Sequence, residues 1–377
     1  MKPPIKILFI HPTVYLNGVS RGLADMINGL DGDAFRVFVA VPEASALERL
    51  ITRSDVAIEY VKMTNLGRRP GRLLGHIVHH RRETQHLAEL GRRVEADVLY
   101  GNTLFASWAY EAARQIQRPC VIHVHEGPAS FPGFLYRRWV RQAGRSAQLI
   151  LVVSEEISHE FREFSEKVAC VENGLDLERF HSAIAPARSP ASCGDELRLL
   201  CVSHLMEGKG QHELIAQLPE VKKRCPGARV TFVGGTNGVP RNERYLERLQ
   251  REAQKLGVAG RLRFAGPQLD LLPWFESCDV FVNTSPYETF GLTLLEALSA
   301  SVPVVTRRVG VAGQMERENM PGLHVIQNSW NELPETIERI DREGFSGLIS
   351  ARAPLLRRYG VQEHVRRVED LILRLLD

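Results

Sequence analysis

Residues 287–298 read YETFGLTLLEAL, an apolar run with one glutamate near its start and another near its end. From Gly291 to Ala300 the pattern predicts a helix, and Leu292, Leu294, Leu295, Ala297 and Leu298 leave it little polar face apart from Thr293. Such a helix is buried. A buried carboxylate at Glu296 then needs several donors, because desolvating an unpaired charge costs far more than one hydrogen bond returns. Glu288 stands just ahead of the helix, where Thr289, Phe290, Gly291 and Leu292 would offer free N–H groups and the positive end of the helix dipole. If the whole span were helical, the two carboxylates would be separated by about 12 Å of rise, too far to share a proton. They suit different parts of one elongated molecule. On these residues alone the pair also fits a first-turn carboxylate matching the dipole and a structural ion-pair partner.

Outward from this stretch the chain alternates buried strands with helices. VPVVT (302–306) follows the helix, and DVFVNTS (279–285), RLRFAG (261–266), ARVTFVGG (228–235) and LRLLCVSH (197–204) precede it. The first half repeats the rhythm with IKILFIH (5–11), FRVFVAVP (35–42), DVLYGN (97–102), PCVIHVH (119–125) and AQLILVVS (147–154), and with VSRGLADMINGL (19–30) as a helix. Continuous apolar strands of this kind belong to parallel sheets covered on both faces. HSAIAPARSPASCGDE (181–196) interrupts the pattern and reads as a linker. The expected fold is therefore α/β, with two Rossmann-like domains at 1–185 and 186–357 and a ligand cleft at the carboxyl ends of the strands. The amphipathic stretch 354–377, broken near Gly360, is expected to return from about residue 358 to the first domain.

A chain of 377 residues with a net charge of +3 gives little reason to expect a nucleic-acid partner. Basic residues are dense between Lys62 and Arg145, including Arg68, Arg69, Arg72, Arg81, Arg82, Arg92, Arg93, Arg137, Arg138, Arg141 and Arg145. They fit a solvated helix face or an anionic acceptor or membrane surface. Six scattered cysteines without a CxxC pair predict reduced thiols, and no stretch has the length of a membrane span. The expectation is a cytoplasmic protein, with peripheral contact at the inner face of the membrane as an option.

Neither GxGxxG nor GxxxxGK[ST] occurs, which argues against dehydrogenases and P-loop enzymes. In HPTVYLNGVSRG, Gly18 follows the first strand and would let backbone approach a ligand. In VIHVHEGP, His123 and His125 point to one face of a strand and His125 stands at its carboxyl end. Two imidazoles without a third ligand make a poor metal site, so no metal is expected. Lys209, flanked by Gly208 and Gly210 at a strand-to-helix turn, is placed to meet a phosphate as a point charge. A lysine, a helix start and an inner carboxylate together suit a nucleoside diphosphate carrying a sugar.

SPYETFGLTLLEALSASVPVV (285–305), VENGLDLERF (171–180), LMEGKGQHELI (205–215) and VIHVHE (121–126) resemble the retaining glycosyltransferases of family 4, which have the GT-B fold. The resemblance implies catalytic roles at the donor sugar and diphosphate for His125, Lys209 and Glu288, with Glu296 on the nucleotide ribose. It places Gly18, Ser203, His204, Thr289, Phe290, Gly291 and Leu292 around diphosphate and sugar, and Gly266, Pro267 and Gln268 at the nucleobase. It implies transfer with retention from a UDP- or GDP-linked sugar to a glycan, lipid-linked or small-molecule hydroxyl acceptor, with no cofactor required. Ser203-His204 stands where many members have Gly-Arg, a single Gly18 replaces a glycine doublet, and Gln314 stands where many carry glutamate. No carboxylate of the first half stands out as a nucleophile, which favours attack from the face that the diphosphate leaves. The rival expectations are a nucleotide-sugar epimerase of related fold and a non-catalytic nucleotide-sugar-binding partner subunit.

Overall fold

The computed structural model describes residues 3–14, 17–45, 47–63, 70–182, 196–343 and 348–377. Most of the expected linker lies outside these residues, as do Arg68, Arg69 and the side chain of Arg72. The chain divides into two compact units, Met1–Leu175 with Val361–Asp377, and Asp176–Gly360. The helix Leu177–Ser182 packs with the second unit, against the helix Leu292–Ser299, so the first unit ends ahead of residue 185.

The first unit is built on seven parallel strands: β1 (Ile5–Ile10), β2 (Phe35–Val41), β3 (Ala57–Tyr60), β4 (Val98–Gly101), β5 (Cys120–Val124), β6 (Leu149–Val152) and β7 (Val168–Cys170). Their order is β3-β2-β1-β4-β5-β6-β7. The second unit has β8 (Arg198–Val202), β9 (Arg229–Val233), β10 (Leu262–Gly266), β11 (Val280–Asn283), β12 (Val304–Arg307) and β13 (Leu323–Ile326), in the order β10-β9-β8-β11-β12-β13. In each sheet the first strand lies between the second and the fourth, so the strand order reverses there. The crevice at such a reversal, past the carboxyl ends of the strands, is the natural ligand site of an open α/β sheet.

The central strands form because their side chains are apolar on both faces: every residue of β4, β5, β6 and β11 is buried. Sequence reasoning missed β3, β7 and β13, and each of them is an edge strand. An edge strand faces water on one side and lacks a continuous apolar run, as IE in β3 and LHV in β13 show by remaining half-exposed.

Both reversals are clamped in the same way. The Asp97 carboxylate accepts the Lys6 N–H at 2.9 Å while the Asp97 N–H donates to Lys6 O at 2.8 Å, tying β1 to β4. Asp279 repeats this with Arg198, accepting its N–H at 2.8 Å and its guanidinium at 2.6 and 2.9 Å, while the Asp279 N–H donates to Arg198 O at 2.8 Å.

The amphipathic terminal stretch breaks at Gly360. Beyond it the helix Val361–Leu376 sends Val365, Val368 and Ile372 into the core of the first unit. Two glycines admit it. A Cβ at Gly29 would sit 2.8 Å from Val365 Cγ2, and one at Gly174 would overlap the His364 side chain. The Val361 N–H donates to Leu175 O at 2.9 Å. Cys120 and Cys201 are reduced and buried, but Cys225 is disulfide-bonded, so the expectation of uniformly reduced thiols fails there. No helix among the described residues is long and apolar enough to cross a membrane.

Replacing Asp279 with alanine removes three donors' acceptor at a side chain only 2 % exposed, while Arg198, 30 % exposed, can still reach water. Denaturant unfolding should show a loss of about 2–3 kcal/mol, and a loss below about 0.5 kcal/mol would show that the clamp is dispensable.

Candidate functional site

In the second unit the polar groups gather past the carboxyl ends of β8 and β11. Ser203 and His204 follow β8, Thr284 to Glu288 follow β11, and two glycines let the connecting loops approach. Gly210 has φ +71°, and a Cβ there would press on the Thr284 carbonyl. Gly234 has φ +139°, and a Cβ there would overlap the Ser203 carbonyl. Thr284 Oγ1 donates to Lys209 O at 2.6 Å, which fixes the lysine's backbone beside β11. Lys209 Nζ in turn donates to Glu288 Oε1 at 2.6 Å, and the two side chains are 25 % and 21 % exposed. Lys209 and Glu288, predicted separately, thus meet as an ion pair.

Gln211 is fully buried and donates to Ser203 Oγ and His204 O, both at 2.8 Å. Asn237 Nδ2 lies 3.3 Å from His204 Nδ1, which accepts from it. Burial first, and then the positive charge of Lys209, hold the His204 imidazole below its ordinary pKa, so it is uncharged at neutral pH. Gln314, another of the three departures, donates to Glu318 Oε1 at 3.0 Å.

The helix of the opening stretch spans Leu292–Ser299, starting later than the donors Thr289 and Phe290 expected for it. Gly291 causes the delay, since it takes a left-handed φ of 101° at the N-cap position. Leu292 and Thr293 therefore begin the first turn, and the Leu294 N–H donates to Gly291 O at 3.1 Å. Thr289 is half-buried. Phe290 is 2 % exposed, packs edge-on to Tyr359 at 5.9 Å and accepts the Val311 N–H at 2.8 Å, so its ring belongs to the core. Glu296 is 2 % exposed on the buried helix, as the sequence required. At the end of β10, Gly266 O accepts the Gly234 N–H at 2.9 Å, Pro267 lies against Gly235, and Gln268 Nε2 folds back to Ala265 O at 3.1 Å.

The first unit holds a separate group. Gly18 opens the helix Gly18–Gly29, whose N-cap Asn17 accepts the Ser20 N–H at 2.8 Å. His125 follows β5 and lies with its Nε2 3.0 Å from Asn102 Oδ1. Asn102 Nδ2 is 3.3 Å from His11 Nδ1, and His11 Nε2 is 3.1 Å from Ser20 Oγ. His123 packs against His125 with ring centroids 4.1 Å apart and meets the Tyr100 hydroxyl at 2.8 Å. His364, on the terminal helix, stacks near His123 and bonds to Glu172 O at 2.8 Å through Nδ1. Burial lowers the pKa of His11 to about 4, of His125 to about 3 and of His364 to about 4.

Sequence reasoning missed His11 and Asn102, although both are polar residues directly following apolar strands at the reversal of strand order. It also passed over Glu126 as a side chain. Burial raises the Glu126 carboxyl pKa, while Thr103 Oγ1 and the Leu104 N–H, the latter at 3.0 Å, donate to it. With both oxygens engaged, Glu126 staples the β4 loop to the end of β5. No group of three or more His, Cys, Asp or Glu among the described residues is arranged to hold a metal ion.

Two Rossmann-like parallel sheets, each with polar residues past the carboxyl ends of its strands, define an α/β protein of the GT-B class. The chain belongs to the family 4 glycosyltransferases: residues 187–344 match Glycosyl transferases group 1 and residues 16–179 match Glycosyltransferase Family 4. It is 30% identical to the GDP-mannose-dependent alpha-(1-6)-phosphatidylinositol monomannoside mannosyltransferase of Mycobacterium tuberculosis over 239 residues, 59% of this chain and 60% of that relative. It is 29% identical to the D-inositol 3-phosphate glycosyltransferase of Streptomyces bingchenggensis over 212 residues, 53% of this chain and 46% of that relative. The match thus spans about half to 60% of these relatives' length. Among solved structures, HepE of Anabaena in complex with UDP-glucose superposes with a TM-score of 0.81 at 22% identity, covering 98% of this chain and 100% of that one. Sucrose-phosphate synthase of Thermosynechococcus elongatus gives 0.74 at 16%, covering 98% and 99%.

The buried histidines make the first unit acid-sensitive. Each is neutral when folded and titrates near 6.5 when exposed by unfolding, so its stability is complete above about pH 6.5 and is lost as pH falls toward about 4. For His11 the full effect is about 3 kcal/mol. Urea unfolding midpoints should fall from pH 7.5 to pH 5, and His11→Gln should flatten that dependence. A midpoint unchanged across this range would contradict the assignment.

Proposed function

We propose that this chain is a retaining glycosyltransferase that moves a sugar from a UDP- or GDP-linked donor to a hydroxyl acceptor of glycan, lipid-linked or small-glycoside type, with no metal or other cofactor. The observation that carries the reading is the Lys209–Glu288 ion pair past the ends of β8 and β11, just ahead of the helix Leu292–Ser299. A cation and a helix start suit a diphosphate, and a carboxylate tied to the cation suits the hydroxyls of the attached sugar. One relative named above is GDP-mannose-dependent and one solved structure of the same fold holds UDP-glucose, which fits a nucleotide-sugar donor and leaves the base to experiment.

In this reading the acceptor hydroxyl attacks the anomeric carbon on the face from which the diphosphate departs, and the departing phosphate oxygen takes the acceptor's proton. Lys209 and the N–H groups of the first helical turn stabilise the charge growing on that oxygen. Glu288 orients the sugar, Glu296 holds the ribose, and His125 meets a sugar hydroxyl as a neutral imidazole. His204 adds hydrogen bonding and acquires charge only when an anion beside it raises its pKa.

Calorimetric titration with UDP, GDP, ADP and dTDP tests this. One nucleotide should bind selectively, and Lys209→Ala and Glu296→Ala should each weaken it, the former by roughly 10- to 100-fold. Glu288→Gln releases Lys209 from its partner, so it should tighten the nucleotide several-fold while lowering sugar transfer. Absence of binding by the wild-type chain would favour a non-catalytic partner subunit.

Peripheral membrane contact is part of the proposal, and the helix Gly133–Ser146 supports it. Its sequence GFLYRRWVRQAGRS holds four arginines and no acid. Phe134, Arg138, Arg141 and Arg145 recur at helical spacing along one exposed stripe, with Phe134 68 % exposed. Liposomes containing anionic lipid should sediment the protein at low salt, and Arg138→Glu/Arg141→Glu/Arg145→Glu should abolish this. Equal sedimentation of wild type and triple variant would remove the stripe from the reading.

A further inference from the structure

The first unit contains a line of hydrogen bonds that links His125 to the helix start at Gly18, and the donor and acceptor capacities of its members fix which way the protons point. His125 Nε2 faces Asn102 Oδ1 at 3.0 Å, and an amide oxygen only accepts, so the ring proton is on Nε2. The other end of the same amide, Nδ2, only donates, so His11 accepts at Nδ1 across 3.3 Å. His11 then carries its proton on Nε2 and gives it to Ser20 Oγ at 3.1 Å. The Ser20 hydroxyl donates to Asn17 Oδ1 at 3.0 Å, which also accepts the Ser20 N–H. Every proton runs in one direction, from the end of β5 to the N-cap of the helix Gly18–Gly29, and every member is neutral.

We propose that Asn102 and His11 are positioning residues that lock His125 in the Nε2–H tautomer, so that its Nδ1 lone pair is held ready to accept a hydrogen bond from a hydroxyl of the donor sugar. His125 Nδ1 has no hydrogen-bond partner among the described residues, while its Nε2 is committed. A neutral imidazole nitrogen can accept a hydrogen bond from a sugar hydroxyl and so fix its orientation, and an imidazolium there would donate instead. The amide is therefore chemically preferable to the isosteric carboxylate. Aspartate at position 102 would pair with a charged His125 and turn Nδ1 into a donor. The same line ends on the helix start that opens with Gly18, so the ring's orientation and that of the N-terminal turn are set together.

Burial and the imidazoles around His125 all press the same way. His123 lies beside it on β5, His11 after β1 and His364 on the terminal helix, and a positive charge on any of them opposes one on His125. Glu126 is the adjacent carboxyl, but its oxygens are held by Thr103 and Leu104, and it reaches His125 only at the backbone N–H, 3.3 Å away. Tyr100 is turned to His123. Asn102 is thus the side chain that decides the tautomer.

The inference rests on the reading that His125 meets a hydroxyl of the donor sugar, and two measurements separate the failure of one from the failure of the other. Nitrogen-15 NMR of the labelled wild-type protein reads the tautomer with no variant and no activity. A His125 signal with the proton on Nε2 across pH 6 to 8 is expected, and an Nδ1–H or charged ring would overturn the proposal. The pH profile of kcat/KM then tests its use. Asn102→Asp should create an acid limb, with activity recovering as pH rises through the elevated His125 pKa. Asn102→Ala should lower kcat by roughly 10- to 100-fold without such a limb and with little change in donor KM. If Asn102→Asp keeps the wild-type profile while NMR shows its His125 charged, the tautomer has no role in turnover and the proposal falls. If His125→Ala is fully active while the tautomer is as stated, the functional reading of His125 fails instead.

Discussion

An aspartate one residue ahead of a central strand holds each sheet at the point where its strand order reverses. Asp97 closes a two-way backbone clamp on Lys6, and Asp279 does so on Arg198 with the guanidinium added. The clamps sit at the amino ends of β1, β4, β8 and β11, while the candidate site residues sit at the carboxyl ends. A parallel strand of four to six residues is a short, stiff connection between the two. Fixing register at one end therefore fixes which loop residues face each other at the other. His11 and Asn102 are neighbours because β1 and β4 are in register, and Lys209 reaches Glu288 because the β8 and β11 loops start level. The chemistry depends on a pairing made a whole strand length away.

The two groups of residues differ in charge because they differ in burial. Lys209 and Glu288 keep roughly a fifth to a quarter of their surface in water, so an ion pair is affordable there and can exchange partners with an arriving anion. The histidines of the first unit are enclosed, and burial drives them neutral. One group offers charge to a ligand and the other offers directed hydrogen bonds without charge.

Much of this was legible in the sequence, for reasons that also explain what was not. The central strands were visible because burial on both faces demands uninterrupted apolar runs; of the four edge strands, which carry no such demand, β10 was visible in RLRFAG while β3, β7 and β13 were not. Glu296 was conspicuous as a charge inside an apolar helix, Glu288 as a carboxylate just ahead of that helix, and Lys209 as a charge between two glycines at a strand-to-helix turn. The helix start was legible to within one residue, but the sequence does not show that Gly291 takes a left-handed conformation, which leaves Thr289 and Phe290 outside the first turn. His11 and Asn102 are single polar residues with nothing unusual beside them, and their meaning arises only from a contact across 91 positions of sequence.

The departure at Ser203-His204 bears on how an anion would be held. Arg307, at the end of β12, is committed to Glu213, so it does not stand in as the missing cation. His204 is uncharged at rest, pressed down by burial and by Lys209. A diphosphate placed between His204 and Lys209 would reverse the second of these influences, because the anion would neutralise the lysine's field and attract a proton to the ring. Without an anion His204 therefore stays neutral beside the Lys209–Glu288 pair, and in the proposed reading its positive charge would come from solvent as a diphosphate arrives. An arginine at that position would carry its charge permanently. In the proposed reading histidine would make the charge conditional on the anion, trading some resting affinity for electrostatics that respond to the ligand.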